Sequence, residues 1–268
     1  LLLGVVGVGR IGSAVAARAE ALGVEVVCND PPRAVVDSTT VWHHLDSLLQ
    51  RADILTLHTP LLRGGDHPTY HLLDAAVLER FQGRVVINAA RGAVVDSVAL
   101  LAWLDSDDSH LAVLDCWEGE PNISRTLLAH PQLVIATPHI AGHSLDGKAA
   151  NTQYVYDAFC RHLGVDGDWS AEQQLVAPEA RIWSPSDGDI WHQVAAMIKV
   201  LYPLQDDVAA CRSLLSLTDS AEFAAGFTSY RRHYPVRRSW HLSPFTVAPY
   251  DAALASLARR AGLLIESS

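Results

Sequence analysis

Arg91, Glu120 and His139 each sit in a short polar segment that follows an apolar run. The segments are Asn88-Ala89-Ala90-Arg91-Gly92, Asp115-Cys116-Trp117-Glu118-Gly119-Glu120-Pro121 and Thr137-Pro138-His139-Ile140-Ala141-Gly142. Together these side chains suit hydride transfer to or from a hydroxy acid. An arginine can fork onto a substrate carboxylate and polarise the carbon being oxidised. A histidine can take the hydroxyl proton as hydride leaves. A glutamate can hold the imidazole in one orientation and favour its protonated form. Singly, each has a plainer reading: a surface ion pair, a solvated acid, a satisfied core histidine. With thirteen histidines in the chain, one well-placed histidine carries little weight. The combination carries the signal, because all three follow successive apolar runs.

Near the start, Gly7-Val8-Gly9-Arg10-Ile11-Gly12 matches G-x-G-x-x-G between an apolar run and a helical pattern. The first glycine makes the tight turn, the second lets backbone N–H groups approach a pyrophosphate, and the third lets helix and strand pack closely. This is a dinucleotide site, and Gly7, Gly9, Arg10, Ile11 and Gly12 line it. Asp30 ends the next run. A carboxylate there accepts from both ribose hydroxyls and repels a 2′-phosphate, which favours NAD over NADP. Arg33 close by is the counter-indication. His58-Thr59-Pro60 follows the third run and faces the same crevice.

The elements that must position these residues alternate. Apolar runs at 2–6, 24–28, 53–57, 84–88, 111–115 and 133–137 are too short for stable helices and read as strands. Helical patterns lie at 11–22, 74–81 and 95–104. Strands alternating with helices predict an α/β fold, a doubly wound parallel sheet. A helix over 147–163 and a polar connector follow. A small α+β unit then restarts the pattern, with strands at 181–183, 241–247 and 263–265 and helices at 190–202, 220–234 and 251–261. The expected domains are a dinucleotide-binding domain at 1–146, a returning helix and linker at 147–177, and a C-terminal dimerisation domain at 178–268.

Composition agrees. A chain of 268 residues, 49% hydrophobic and 19% charged, is neither disordered nor fibrous. A net charge of −10 argues against nucleic acid or an anionic membrane surface as partner. No apolar run reaches membrane-spanning length. Cys28, Cys116, Cys160 and Cys211 form no C-x-x-C pair. They read as reduced thiols of a cytoplasmic protein, not as a disulfide frame or a zinc site.

These motifs resemble the D-isomer-specific 2-hydroxyacid dehydrogenase family, whose glycine loop, N-x-x-R-G, D-V-x-x-x-E-P and T-P-H-x-A/G patterns are present almost whole. The resemblance implies that Arg91, Glu120 and His139 are the catalytic trio and that Asp115 contacts the nicotinamide carboxamide. It implies that Asp30, Thr59 and the Ala89-Ala90-Arg91 backbone line the cofactor NAD, with Gly142 near its nicotinamide end. Cys116 departs from the usual valine. Asn29-Asp30-Pro31-Pro32-Arg33, the segment from His139 to Lys148 and the stretch from Phe223 to Trp240 are similar to one branch of the family. That branch oxidises 4-phospho-D-erythronate in the route to pyridoxal 5′-phosphate and forms homodimers through its C-terminal unit. His143 stands where that branch has a substrate-contacting tyrosine. Another 2-hydroxyacid dehydrogenase, or a cofactor-sensing binding module, is the alternative. In this family a substrate-domain segment precedes the glycine loop. Here the loop begins at residue 7, so the chain is expected to bind NAD yet turn over poorly.

Overall fold

The computed structural model describes residues 1–266. The chain divides into two compact units, residues 1–140 with 205–233, and residues 141–204 with those from 234 onward. In chain order the elements begin with β1 (Leu2–Val6), α1 (Arg10–Ala21), β2 (Glu25–Asn29), α2 (Pro31–Val36), α3 (Leu45–Arg51) and β3 (Ile54–Leu57). They continue with α4 (Ala75–Arg80), β4 (Val85–Asn88), α5 (Ser97–Ser106), β5 (Leu111–Leu114), α6 (Arg125–Ala129) and β6 (Leu133–Ala136). Next come α7 (Leu145–Leu163), β7 (Arg181–Trp183), α8 (Ile190–Leu201), α9 (Leu204–Ser213) and α10 (Ser220–Arg232). The described chain ends with β8 (Pro244–Val247), α11 (Ala252–Arg260) and β9 (Leu264–Glu266).

In the first unit all six strands run parallel in the order β2-β1-β3-β4-β5-β6. Val5, Leu55, Leu57, Val86 and Ala112 are wholly buried. A parallel sheet is covered on both faces, so its strands are continuous apolar runs and not alternating ones. The chain steps from β1 to β2, then reverses past β1 to β3. The carboxyl ends of β1 and β3 therefore border the crevice where such sheets bind ligands.

The units do not follow the expected boundaries of 146 and 177. Cys211, Leu214, Phe223 and Phe227 belong to the same buried cluster as Leu127, Leu128 and Leu133. The Arg125 guanidinium also lies 4.3 Å from the centre of the Phe223 ring and donates to Asp219 O at 3.0 Å. Thus α9 and α10 complete the core of the first unit.

The second unit holds a parallel sheet in the order β7-β8-β9. Its α8 packs on α11 and buries Val194, Met197, Leu254 and Leu257. The Ser144 hydroxyl accepts from Gly147 N at 3.0 Å to start α7, and Gly164 at φ +67 stops it. Residues 240–242 are a 3₁₀ turn, so the expected extended run over 241–247 shortens to β8. Among the described residues no helix is long and apolar enough to cross a membrane. All four cysteines are free thiols.

Candidate active site

The glycine loop leaves β1 at Gly7, whose φ is +85. A Cβ there would lie 2.8 Å from the His58 carbonyl carbon, and one on Gly12 would lie 2.0 Å from Gly7 O. Only glycine permits that approach. A Cβ on Gly9, in contrast, meets nothing within 4 Å. That open side is the cradle a pyrophosphate would fill, at the start of α1. Arg10 and Ile11 are exposed on its first turn.

Asp30 braces this loop. Its Oδ2 accepts from Val8 N at 2.8 Å and its Oδ1 from Arg33 N at 3.1 Å, which caps α2. Arg33 donates to Val8 O and Ser13 Oγ, and faces Asp37 Oδ2 at 3.5 Å. A cavity of about 390 Å³ opens beside it, lined by Gly7, Asp30, Pro31, His44, Thr59 and Pro60 among others. The Thr59 Oγ1 and His58 Nδ1 atoms are buried without a hydrogen-bond partner. Burial pushes the His58 imidazole pKa down. An orphaned hydroxyl on the cavity wall, a tight glycine turn and a carboxylate at the end of β2 fit a dinucleotide.

The next three strand ends carry the expected trio. After β4, Asn88 brackets the turn: its Nδ2 donates to Arg91 O at 3.0 Å and its Oδ1 accepts from Ala90 N at 3.1 Å. Arg91 is exposed and folds back to donate to Ala90 O at 2.7 Å. A Cβ on Gly92 would lie 1.8 Å from Trp117 O, so the turns after β4 and β5 touch backbone to backbone. After β5, Glu120 uses both oxygens. Oε1 accepts from Trp117 N at 2.7 Å, and Oε2 lies 2.8 Å from His139 Nδ1.

His139 itself follows β6 with φ +56, a conformation costly for a non-glycine residue. Its surroundings hold it there. His139 N donates to Asp115 O at 2.7 Å, Ile140 N to Asp115 Oδ1 at 2.7 Å, and Arg231 Nε to His139 O at 3.0 Å. The Thr137 hydroxyl also donates to Asp115 Oδ1 at 2.7 Å. Asp115 therefore anchors the histidine turn as well as standing where the nicotinamide end is expected. Gly142 and His143 belong to the second unit, where the His143 ring meets Tyr234 edge-on at 5.9 Å.

Sequence reasoning missed a second brace on the Glu120 loop. His71 Nε2 lies 2.5 Å from Glu118 Oε1, and Ser97 N donates to Glu118 Oε2 at 3.1 Å. Burial alone would raise the Glu118 carboxyl pKa, but His71 and Ser97 outweigh it and hold it below its ordinary value. No spacing rule finds such a pair, which lies 47 positions apart.

The profile of the D-isomer specific 2-hydroxyacid dehydrogenase, NAD binding domain family matches residues 2–141. The chain is 39% identical over 241 residues to an erythronate-4-phosphate dehydrogenase of Proteus mirabilis, covering 89% of this chain and 62% of that protein. It is 38% identical over 264 residues to the Escherichia coli O157:H7 enzyme of the same name, covering 97% and 66%. The chain thus spans a little under two thirds of the length of these curated relatives. Among solved structures, a D-lactate dehydrogenase with NAD+ from Lactobacillus jensenii aligns over 63% of this chain and 55% of that one. The identity is 29% and the TM-score 0.51. Through a match over half its length, the chain belongs to the D-isomer specific 2-hydroxyacid dehydrogenase family, and residues 2–141 are its NAD binding domain.

Proposed function

We propose that this protein oxidises 4-phospho-D-erythronate at its 2-hydroxyl to 2-oxo-3-hydroxy-4-phosphobutanoate, in the route to pyridoxal 5′-phosphate. The observation that carries the chemistry is the His139–Glu120 pair, 2.8 Å apart on the carboxyl edge of a sheet whose first turn is a dinucleotide loop. The choice of substrate rests on the two relatives, both erythronate-4-phosphate dehydrogenases.

In this reading NAD, when bound, supplies the hydride acceptor. The glycine loop, Asp30, Thr59 and the backbone of Ala89 and Ala90 hold it, with Asp115 toward its nicotinamide end. His139 Nε2 takes the hydroxyl proton. Glu120, on Nδ1, fixes the tautomer that leaves Nε2 able to accept it, and stabilises the imidazolium that results. Arg91 forks onto the substrate carboxylate, and its exposed guanidinium is available to do so. The same reading takes the protein to be a cytoplasmic homodimer paired through its second unit, where Ile182 and Trp191 present apolar surface.

A panel of hydroxy acids offered with NAD, followed by NADH absorbance, tests the substrate. Oxidation of 4-phospho-D-erythronate well above D-lactate and D-3-phosphoglycerate is expected; a preference for either of those sinks the assignment. His139→Gln should lower kcat by about 10²–10⁴-fold while leaving the Kd for NADH within a few-fold of wild type.

A further inference from the structure

We propose that Cys116, Glu120 and His139 form a binding site for a soft or borderline divalent cation, with zinc the best fit. The Cys116 sulfur, a Glu120 carboxylate oxygen and a His139 ring nitrogen lie within 4.8 Å of one another. Zinc bonds to thiolate at about 2.3 Å and to imidazole or carboxylate at about 2.0–2.2 Å, which sets tetrahedral ligand atoms roughly 3.5 Å apart. The widest edge of the triangle therefore has to close by at most about 1.3 Å.

The donor set selects the class of ion. Sulfur, nitrogen and oxygen together suit zinc or cobalt, whereas magnesium and calcium take oxygen ligands. A thiolate and a carboxylate also cancel the charge of a divalent ion. Cys116 is 2% exposed, and its thiol donates to Ala90 O at 3.4 Å. Binding converts the thiol to a metal thiolate and releases one proton to solvent. Entry is from the side of Glu120 and His139, whose side chains are 19% and 26% exposed. Three protein ligands leave a fourth position open to water, the arrangement of accessible zinc sites and not of closed structural ones.

A cation there has two ways to use His139. It displaces the hydrogen bond to Glu120, or it takes the ring's other nitrogen. Both remove the group assigned to the substrate proton, so zinc would inhibit turnover. That consequence rests on the function proposed above; the binding site does not.

The test is a titration of the metal-free full chain with cobalt(II). A thiolate-to-cobalt charge-transfer band in the near ultraviolet is expected at one equivalent, with release of one proton and displacement by zinc. In Cys116→Val, and in Cys116→Ala as a second variant, the band should vanish. Zinc affinity should fall by at least about tenfold, the lower end of what loss of even an outer partner costs a metal site. NADH binding by both variants checks that they fold. A wild-type spectrum without the sulfur band, or equal zinc affinity in folded variants, overturns the proposal. A sulfur band together with undiminished turnover at saturating zinc supports the site and overturns the proton-transfer role given to His139.

Discussion

Asp30 does two jobs with one carboxylate. It ties Val8 N of the glycine loop to the start of α2, and in the proposed function it also receives the ribose hydroxyls. Removing it would loosen the loop and take away the charge proposed to repel a 2′-phosphate, while Arg33 stays on the first turn of α2 beside it. Asp30→Ala should therefore weaken NADH binding by about 10–100-fold, as loss of hydrogen bonds to a charged acceptor implies. NADPH should weaken far less, so the ratio of the two Kd values moves toward NADPH. Fluorescence titration with both nucleotides reads that ratio, and an unchanged ratio would remove Asp30 from the specificity role. At this scale the sequence was readable wherever the chemistry is local. Arg91, Glu120 and His139 each announce themselves at a strand end. The Asn88 bracket, the Asp115 anchor under His139 and the His71–Glu118 brace were not readable in the same way. Their partners come from other elements, and only the folded sheet brings them within hydrogen-bond distance.

Elements were legible in proportion to how much apolar surface they bury in a regular period. All six strands of the first sheet were read to within a residue or two, because a doubly covered strand is an uninterrupted apolar run. The helices α2, α3, α6 and α9 were missed, each ten residues or fewer and too short to show a clear period, and α2 is the extreme case. Its Val35 and Val36 are 82% exposed, so it shows no buried stripe; it forms because Asp30 caps it and Pro31 and Pro32 preset its first turn. A comparable local device holds the start of α7. Asp146 Oδ1 lies 2.7 Å from Arg238 Nη2, and its Oδ2 accepts from Ser239 N. Burial would raise the Asp146 carboxyl pKa, but those bonds prevail and hold it below its ordinary 3.8. Because the folded value lies below the unfolded one, ionised Asp146 favours the folded state. That contribution is complete above the ordinary value and disappears as pH falls through the lower folded value. Asp146→Asn should cost about 1.5–3 kcal/mol at pH 7, the worth of hydrogen bonds to a charged group. The difference from wild type should shrink as urea melts are repeated toward pH 3. A gap independent of pH would show that the residue acts through packing alone.

The whole molecule is not arranged as its sequence order suggests. Residues 178–268 read as one C-terminal unit, because an amphipathic helix reveals that it covers a core but not which core. In the structure the segment from α9 through α10 buries Cys211, Leu214, Phe223 and Phe227 in the cluster under the parallel sheet. The NAD binding domain matched at 2–141 thus takes part of its core from a segment that begins more than sixty residues later. This arrangement makes a prediction that the sequential one contradicts. Phe227→Ala leaves a cavity in a side chain's place that is 1% exposed, at a cost of about 3–5 kcal/mol. If α10 belongs to the first core, the loss falls on β5 and β6. Hydrogen exchange should then quicken at 111–114 and 133–136 and stay near wild type at 244–247 and 264–266. Affinity for NADH should become more sensitive to temperature, since the sheet that presents the glycine loop is the one weakened. Were 178–268 an independent domain, the pattern would invert: faster exchange in β8 and β9, and an untouched nucleotide site.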